Sequence, residues 1–377
     1  MKQTRRQVLR GMTAAAAAAA LAPTRAAGTS EPSDADQIEN LDALLAESVI
    51  VDDLGGFRPD VSTTDKRFIM AKNSGITIAS PTIGSVVAEE SFQSCLTGLG
   101  QLTAAINKYS DRVLLVSNFS DVEKAKRDSK IGILANFQNS TAIGTDLSRL
   151  DLFYDLGVRQ IQLTHNWRNW VGDGCTERTQ AGLTYFGVDV VERMNELGII
   201  VDVGHCGYQT TLDAIEVSSK PIVFSHTNCM ALCKHPRNKT DKQIKALTER
   251  GGVMGISNFN WFVSDKPRST LEDLLDHFDY LVELVGSDHV GIGSDFGLPG
   301  YLGTEGDKIW QGHLRIYSPR EQETLKTRWP PYIEEVNDEW RYKTIAQGLL
   351  ARGHSADVVR KILGLNFLRV YKEALKA

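Results

Sequence analysis

The feature that most constrains the fold is a repeated alternation of short apolar runs and amphipathic stretches along almost the whole chain. Segments such as "FGVDVVERMNELG" and "TLEDLLDHFDYLVELVG" place apolar residues three and four positions apart, which indicates helices packed on one face. Strands that alternate with such helices are typical of βα units and a parallel sheet. The strand candidates are Val49–Asp52, Ile76–Ser80, Val113–Ser117, Ile131–Asn136, Gln160–Thr164, Ile199–Val203, Ile222–Ser225, Val253–Ser257 and Val290–Gly293.

Nine strand candidates for eight positions predict a single-domain α/β fold, a (β/α)8 barrel of the TIM type with one extra or irregular strand. An open doubly wound sheet is the alternative, but no Gly-rich phosphate turn follows the first strand. The 377 residues, 42% of them hydrophobic, suffice for one large core. The net charge of −5, with no dense basic patch beyond the N-terminus, argues against a nucleic-acid partner.

The first 28 residues have the pattern of an export signal. Arg5 and Arg6 in "TRRQVLRG" precede the apolar run "MTAAAAAAALAP" and the small residues of "TRAAG". This is the twin-arginine form of a signal peptide, with cleavage expected after Ala26 or Ala27; a disordered alanine-rich tail is the alternative. We therefore expect residues 29–377 to form a periplasmic barrel without a membrane span once the signal is removed.

The segment Gly297–Trp340 interrupts the alternation. It is long, aromatic and punctuated by Pro and Gly, without a clear period. Long insertions in compact domains are usually functional, so we predict a lid or a binding loop. A surface excursion that packs on its own aromatic residues is the alternative.

Polar residues stand where the strand candidates end. These residues are Asp52, Asp53, Gln138, His165, His205, His226 and Asp295. In a barrel the carboxyl ends of the strands converge on one face, which carries the active site. A lone histidine there is more often a satisfied core residue, but three histidines and an acid at equivalent positions favour a functional site.

His205 and His226 lie 21 residues apart, the length of one βα unit, so their imidazoles are expected on adjacent strands. Neutral imidazoles suit zinc and similar ions, and Asp295 can complete a two-histidine, one-acid site or accept a proton from water. Arg237, in "KHPRN", can bind a substrate carboxylate with two hydrogen bonds, or it is a surface arginine in a helix–turn.

Longer motifs resemble the renal, or membrane, dipeptidase family. They are "GLTYFGVDVVERMNELGIIVDVGHCGYQTTLDAIEVSSKPIVFSHTNCMALCKHPRNKTDKQIKAL", "FYDLGVRQIQLTHN", "HVGIGSDF" and "GLNFLRVY". The resemblance covers nearly the whole chain after the signal. It implies a (β/α)8 metallohydrolase barrel with two zinc ions, which cleaves dipeptides, tolerates a D-residue on the carboxyl side and in some members opens β-lactams.

The same resemblance implies a role for each retained residue. His205 and His226 match the two histidines of the family's second metal. Asp295 matches the acid that handles the proton of the attacking water. His165 matches the histidine that polarises the scissile carbonyl, and Arg237 matches the arginine that binds the substrate carboxylate.

Three positions depart from the family pattern. The family's first strand ends Asp-x-His-x-Asp, and the His and the last Asp are metal ligands. When this pattern is aligned with "VDDLGGF", the leading acid is Asp52, and Leu54 and Gly56 replace the two ligands. Gln138 replaces the glutamate that bridges the metals, which removes a negative charge from between two dications. Asp53, one residue out of register, and Asp52 are candidate substitute ligands. We therefore expect one zinc ion rather than two.

Three functions fit these residues. The first is a one-metal hydrolase that acts on a small peptide or amide with a free carboxylate. The second is a non-hydrolytic tailoring enzyme, a lyase or isomerase, in which the same side chains act as acids and bases. The third is a pseudo-enzyme that binds a ligand in the retained pocket. We favour the first. Homodimers are common in the resembled family, so a second copy of the chain is a candidate partner.

Overall fold

A computed structural model describes residues 34–87, 91–300 and 303–376, and the expected signal peptide lies outside them. No helix in these ranges has the length and apolar content needed to cross a membrane. The strands are β1 (Ile50–Asp52), β2 (Ile76–Ala79), β3 (Val113–Leu115), β4 (Ile131–Ile133), β5 (Ala135–Phe137), β6 (Val158–Gln162), β7 (Ile200–Asp202), β8 (Val223–Thr227), β9 (Val253–Ile256) and β10 (Val290–Ile292).

Helices precede, connect and follow the strands. They are α1 (Asp34–Glu47), α2 (Asp65–Asn73), α3 (Ser91–Lys108), α4 (Phe119–Arg127), α5 (Arg149–Asp155), α6 (Tyr185–Leu197), α7 (Tyr208–Val217), α8 (Asp241–Glu249), α9 (Asn260–Val263), α10 (Leu271–Val285), α11 (Gly303–Leu314), α12 (Pro319–Thr324), α13 (Arg341–Ala351), α14 (Ala356–Arg360) and α15 (Asn366–Ala374). A π-helical turn, Lys361–Leu365, joins the last two. The insertion Gly297–Trp340, whose sequence shows no clear period, contains α11 and α12.

The strands are parallel and close into a barrel. Their order is β3-β4-β2-β1-β10-β9-β8-β7-β6-β5, and only Leu134 separates β4 from β5. The Leu134 amide donates to Ala79 O (2.9 Å) and the Ile83 amide donates to Asn136 O (2.8 Å), so this interrupted strand borders the β2 segment along its length. β4 and β5 therefore fill one of eight positions, and β3 is the extra strand. The predicted (β/α)8 barrel is confirmed.

Threonines fix where several barrel helices begin. Thr184, Thr240 and Thr270 precede α6, α8 and α10, and each side chain accepts a hydrogen bond from a backbone amide in the first turn. Gln243 and Asp273 return the bond to the capping residue in the last two cases, which completes a capping box. These local signals end each loop at a defined residue and so set the height of the following helix beside the sheet.

One end of the barrel is closed by the C-terminal helix. Buried apolar residues of α15 pack with the first inward-facing residues of the strands in one cluster; these are Val51, Ile78, Ile200, Val223, Val253, Phe367, Val370 and Tyr371. A side chain on Gly291 would lie 2.2 Å from the Phe367 ring, so the helix approaches β10 as closely as glycine allows. The opposite end, where the strands terminate, is left for the site.

The buried carboxylate of Asp52 ties β1 to β10 and α13. It accepts hydrogen bonds from the Ser294 amide (2.8 Å) and the Tyr342 hydroxyl (2.7 Å). Burial raises the pKa of Asp52 to about 6, although these bonds and the Arg341 charge oppose the shift.

We expect Tyr342→Phe to lower the free energy of unfolding by about 1–3 kcal/mol, because a buried acceptor loses its donor. Urea unfolding measures this, with the exposed Tyr185→Phe as the matched control; equal stabilities would contradict the role given to Tyr342.

Candidate metal and substrate site

The centre of the site is a pair of buried histidines on neighbouring strands. His205 follows β7 and His226 lies within β8, and their Nε2 atoms are 2.8 Å apart. The imidazole of His165, which follows β6, stacks on that of His205 with a centroid separation of 4.2 Å. The structure thus brings together the three histidines that sequence analysis selected, at the carboxyl ends of three successive strands.

Hydrogen bonds at the other ring nitrogen set the tautomer of each histidine. His205 Nδ1 lies 2.7 Å from Asn166 Oδ1, which also accepts from the Cys175 thiol (3.3 Å). His226 Nδ1 lies 2.7 Å from the Ser225 hydroxyl, and that hydroxyl donates to Asp202 (2.5 Å). Because both partners accept from the ring, each Nδ1 carries the hydrogen and each Nε2 keeps a lone pair.

This arrangement fits a cation between the rings. Burial, helped by the positive charge of Arg237, lowers the pKa of both His205 and His226 well below the ordinary value, so neither ring is protonated near neutral pH. Two lone pairs that face each other at 2.8 Å repel unless a positive charge lies between them. In tetrahedral zinc sites two imidazole nitrogens are about 3.3 Å apart, so the rings need to separate by only about half an ångström.

The candidate third ligand, Asp295, lies farther from the histidine pair. Asp295 Oδ1 lies 4.0 Å from His226 Nε2, and Gln138 Nε2 lies 3.3 Å from the same atom. Burial raises the pKa of Asp295 to about 7, against the opposing charge of Arg237. Within the three described ranges, no group of three or more His, Cys, Asp or Glu side chains forms a ready metal cage. The donor set is therefore two histidines, with Asp295 at its edge.

The β1 side of the site supplies no ligand at the positions where the family pattern has them. Leu54 is a buried apolar residue whose carbonyl accepts from the Asp295 amide (2.8 Å). Gly56 has φ +71°, and a side chain there would meet Ile76 Cδ1 at 2.4 Å and Ala79 Cβ at 3.2 Å. The side chains of β2 thus fill the space that a carboxylate at position 56 needs.

The structure does not bring the carboxylates of Asp52 and Asp53 to the histidine pair. Neither lies where a substitute metal ligand was expected. Successive residues of a strand face opposite sides, so Asp52 points out of the barrel toward Tyr342 and Asp53 points into it. Asp53 accepts from the Tyr371 hydroxyl (2.5 Å), on the helix that closes the far end, and from Gln160 (3.4 Å).

Arg237 is a buried, immobilised cation at the pocket. Its Nη1 donates to Gly204 O and its Nη2 to His226 O (3.0 Å), and the guanidinium lies 5.1 Å from the Phe262 ring centroid. Its Nε is buried without a hydrogen-bond partner among the described residues. This is not the surface arginine that the sequence left open. A buried donor of this kind is suited to an anionic group of a ligand.

These side chains line a cavity of about 40 Å³. The polar part consists of Gln138, His165, Asn166, His205, Arg237 and Asp295. The apolar part consists of Phe259, Trp261, Phe262, Tyr317 and Leu325. Two of the latter, Tyr317 and Leu325, belong to the insertion, which therefore reaches the pocket. Three supporting residues were not identified from the sequence, Asn166, Ser225 and Asp202, although the first two directly follow and precede selected histidines.

Known proteins resemble this chain in sequence and structure. Residues 61–305 match the family model described as membrane dipeptidase, Peptidase family M19. Dipeptidase tcpJ of Claviceps purpurea (strain 20.1) is 30% identical over 268 residues, which cover 70% of this chain but only 56% of that protein.

Two crystal structures are also similar. An amidohydrolase from Pseudomonas aeruginosa is 31% identical, with a TM-score of 0.78 over 89% of this chain and 99% of that one. A metallo peptidase from Rhodobacter sphaeroides, liganded with a phosphinate mimic of the dipeptide L-Ala-D-Ala, is 18% identical and shares the fold, with a TM-score of 0.72 over 87% of this chain and 100% of that one. The sequence match over most of the chain, on a barrel of the same fold, shows that this protein belongs to the membrane dipeptidase family.

Proposed function

We propose that the protein is a hydrolase of small peptides or amides that bear a free carboxylate, and that it works with one divalent metal ion, zinc by the chemistry of its donors. The observation that carries the proposal is the pair of neutral histidines whose Nε2 lone pairs face each other 2.8 Å apart. Membership of a metallopeptidase family implies a metal cofactor. Leu54, Gly56 and Gln138 stand where the first metal's ligands and the bridge are expected, which supports one ion rather than two.

His205 and His226 would hold the ion, with Asp295 or water completing its coordination. When bound, such an ion supplies a Lewis acid that polarises the amide carbonyl and lowers the pKa of water. Asp295, with a pKa of about 7, can take up and release a proton near neutral pH. His165, stacked on His205, borders the space where the scissile carbonyl would lie.

Substrate binding rests on Arg237. Two backbone carbonyls and the Phe262 ring fix its guanidinium, so little side-chain entropy is lost when a ligand binds. The unpaired Nε donor and the positive charge favour a carboxylate in the pocket. Release of amino acids from a panel of dipeptides by the zinc-loaded protein tests the function. Hydrolysis that requires a free substrate carboxylate is expected; no hydrolysis across the panel would overturn the proposal.

Gln138→Glu tests the assignment of the altered bridge. The Gln138 amide nitrogen lies 3.3 Å from His226 Nε2, so a glutamate at this position would place a negatively charged ligand at the site. We therefore expect the affinity for zinc to rise about tenfold or more. The stoichiometry should stay at one, because Leu54 and Gly56 still provide no ligand. A competition titration with a chromogenic chelator measures both quantities. Gln101→Glu, exposed on α3, adds the same charge elsewhere. Unchanged affinity, or a second bound ion, would contradict the assignment.

The location and assembly of the protein are part of the proposal. The twin-arginine pattern of the first 28 residues supports export to the periplasm. This route carries folded proteins, so the ion would be loaded before export. A homodimer is proposed from the family resemblance alone, and size measurement in solution decides it.

A further inference from the structure

The apolar side of the pocket, here called its roof, consists of Phe259, Trp261, Phe262, Tyr317 and Leu325. The role inferred for it rests on the function proposed above. A buried water needs about 10–15 Å³ of such cavity space, so the cavity of about 40 Å³ has room for about three waters. A dipeptide is larger than this. The residues that bound the cavity on its apolar side therefore decide how much of a substrate can enter.

Tyr317 is a residue of this roof whose ring lies beside that of His165. Its ring lies nearly parallel to that of His165, with an interplanar angle of 16° and centroids 6.5 Å apart. It also packs against Trp167, with a centroid separation of 5.9 Å. Tyr317 is 8% exposed, so its ring lies inside the molecule and not over an open cleft. A substrate side chain positioned above His165 would meet this ring.

The segment that carries Tyr317 is held in place at several points. Gln322 Nε2 donates to Tyr317 O (3.0 Å), and the Tyr317 amide donates to Leu314 O (3.1 Å). The ring of Trp310 on α11 packs against Trp261 of α9, 5.1 Å between centroids. Further along the insertion, His235 Nε2 lies 2.8 Å from Leu325 O, a contact between the insertion and the barrel. Tyr317 thus packs in one aromatic cluster with Trp261 and Trp310, and displacing its ring costs packing energy.

We propose that Tyr317 is the specificity-determining residue of this pocket: its ring occupies the space of a bulky substrate side chain and restricts the enzyme to peptides or amides whose residue above His165 is small. A lid or binding loop in this insertion was predicted from the sequence, but this residue was not identified there. The size restriction follows from this one ring. It requires the volume of the ring and not its hydroxyl group.

Tyr317→Ala and Tyr317→Phe separate volume from hydroxyl. The substrates are two dipeptide series, Xaa-Ala and Ala-Xaa, with Xaa as Gly, Ala, Leu or Phe. Tyr317→Ala is expected to raise the kcat/KM ratio of bulky to small substrates at least about tenfold in one series. Removal of the ring frees more volume than several methylene groups occupy, and such groups discriminate strongly between substrates. Tyr317→Phe should keep the wild-type ratio within about twofold. Ile309→Ala, at an exposed position of α11, is the control and should leave the ratio unchanged.

An unchanged ratio in folded Tyr317→Ala would overturn the proposal, as would an equal change in Tyr317→Phe. Thermal melting of each variant checks that it is folded. Calorimetric binding of the same dipeptides by metal-free protein gives a readout that needs no hydrolysis. If no variant hydrolyses any dipeptide but Tyr317→Ala still binds bulky dipeptides at least about tenfold more tightly relative to small ones, the proposed reaction fails while the size restriction stands. If binding shows no such shift, the size restriction fails as well.

Discussion

His226→Ala is expected to remove the metal ion and with it the hydrolysis of dipeptides. Among the described residues, His226 and His205 provide the ring nitrogens proposed to hold the ion, and their Nε2 atoms lie 2.8 Å apart. Loss of a residue that merely supports a ligand typically lowers metal affinity about 10–100-fold, so loss of a ligand should exceed this. We expect bound zinc to fall below a tenth of an ion per chain and kcat/KM to fall by about a thousandfold or more.

The control for this variant is His354→Ala. His354, which follows α13, pairs with Asp279 of α10 at 2.7 Å, and neither residue takes part in the site. Its loss should therefore change neither zinc content nor activity. Zinc analysis and initial rates measure the effect, with melting temperatures to verify folding. Full dipeptide hydrolysis in folded His226→Ala would contradict the mechanism proposed here.

Arg237→Lys is expected to raise KM for carboxylate-bearing substrates about a hundredfold. A lysine keeps the charge but cannot present the planar set of N–H donors, and hydrogen bonds between charged groups contribute about 1.5–3 kcal/mol each. The measurement compares each dipeptide with its C-terminal amide. Selectivity for the acid over the amide should fall about a hundredfold in Arg237→Lys.

The amide substrates separate binding from structural damage in this variant. Arg237 also donates to the carbonyls of Gly204 and His226, so its replacement disturbs the site to some extent for every substrate. Such damage lowers the rates for acid and amide alike and leaves their ratio unchanged. An equal loss for both substrates would therefore show that Arg237 supports the fold of the pocket and does not bind the carboxylate.

The architecture could be predicted from the sequence because its signals are local and repeated. Nine apolar runs at βα spacing indicated the barrel, and the excess strand is β3, beside β4. What the periodicity does not show is that the Ile131–Asn136 run is divided at Leu134, because both halves are apolar and the division depends on contacts with β2 and β6. The helices within the insertion were also missed, because α11 packs on an aromatic cluster through Trp310 and α12 has no buried residue.

The site was predictable to the extent that it follows from strand ends. His205 and His226 are one βα unit apart, and the barrel places their rings in contact. The placement of Asp53 was not predictable, because a one-residue difference in register decides whether a carboxylate faces the barrel interior or its outer side. Tyr317 could not be identified either, since its approach to His165 depends on how a long insertion folds back over the barrel.

The central claim is that half of a binuclear site is retained and holds one ion. It is tested most directly by counting the zinc ions bound to the purified full chain, after loading with excess zinc and removal of the unbound ion. We predict one ion per chain, lost in His205→Ala and in His226→Ala. Two ions per chain would contradict the loss of the first site at Leu54, Gly56 and Gln138, and no bound ion would contradict the metal-binding role of the histidine pair.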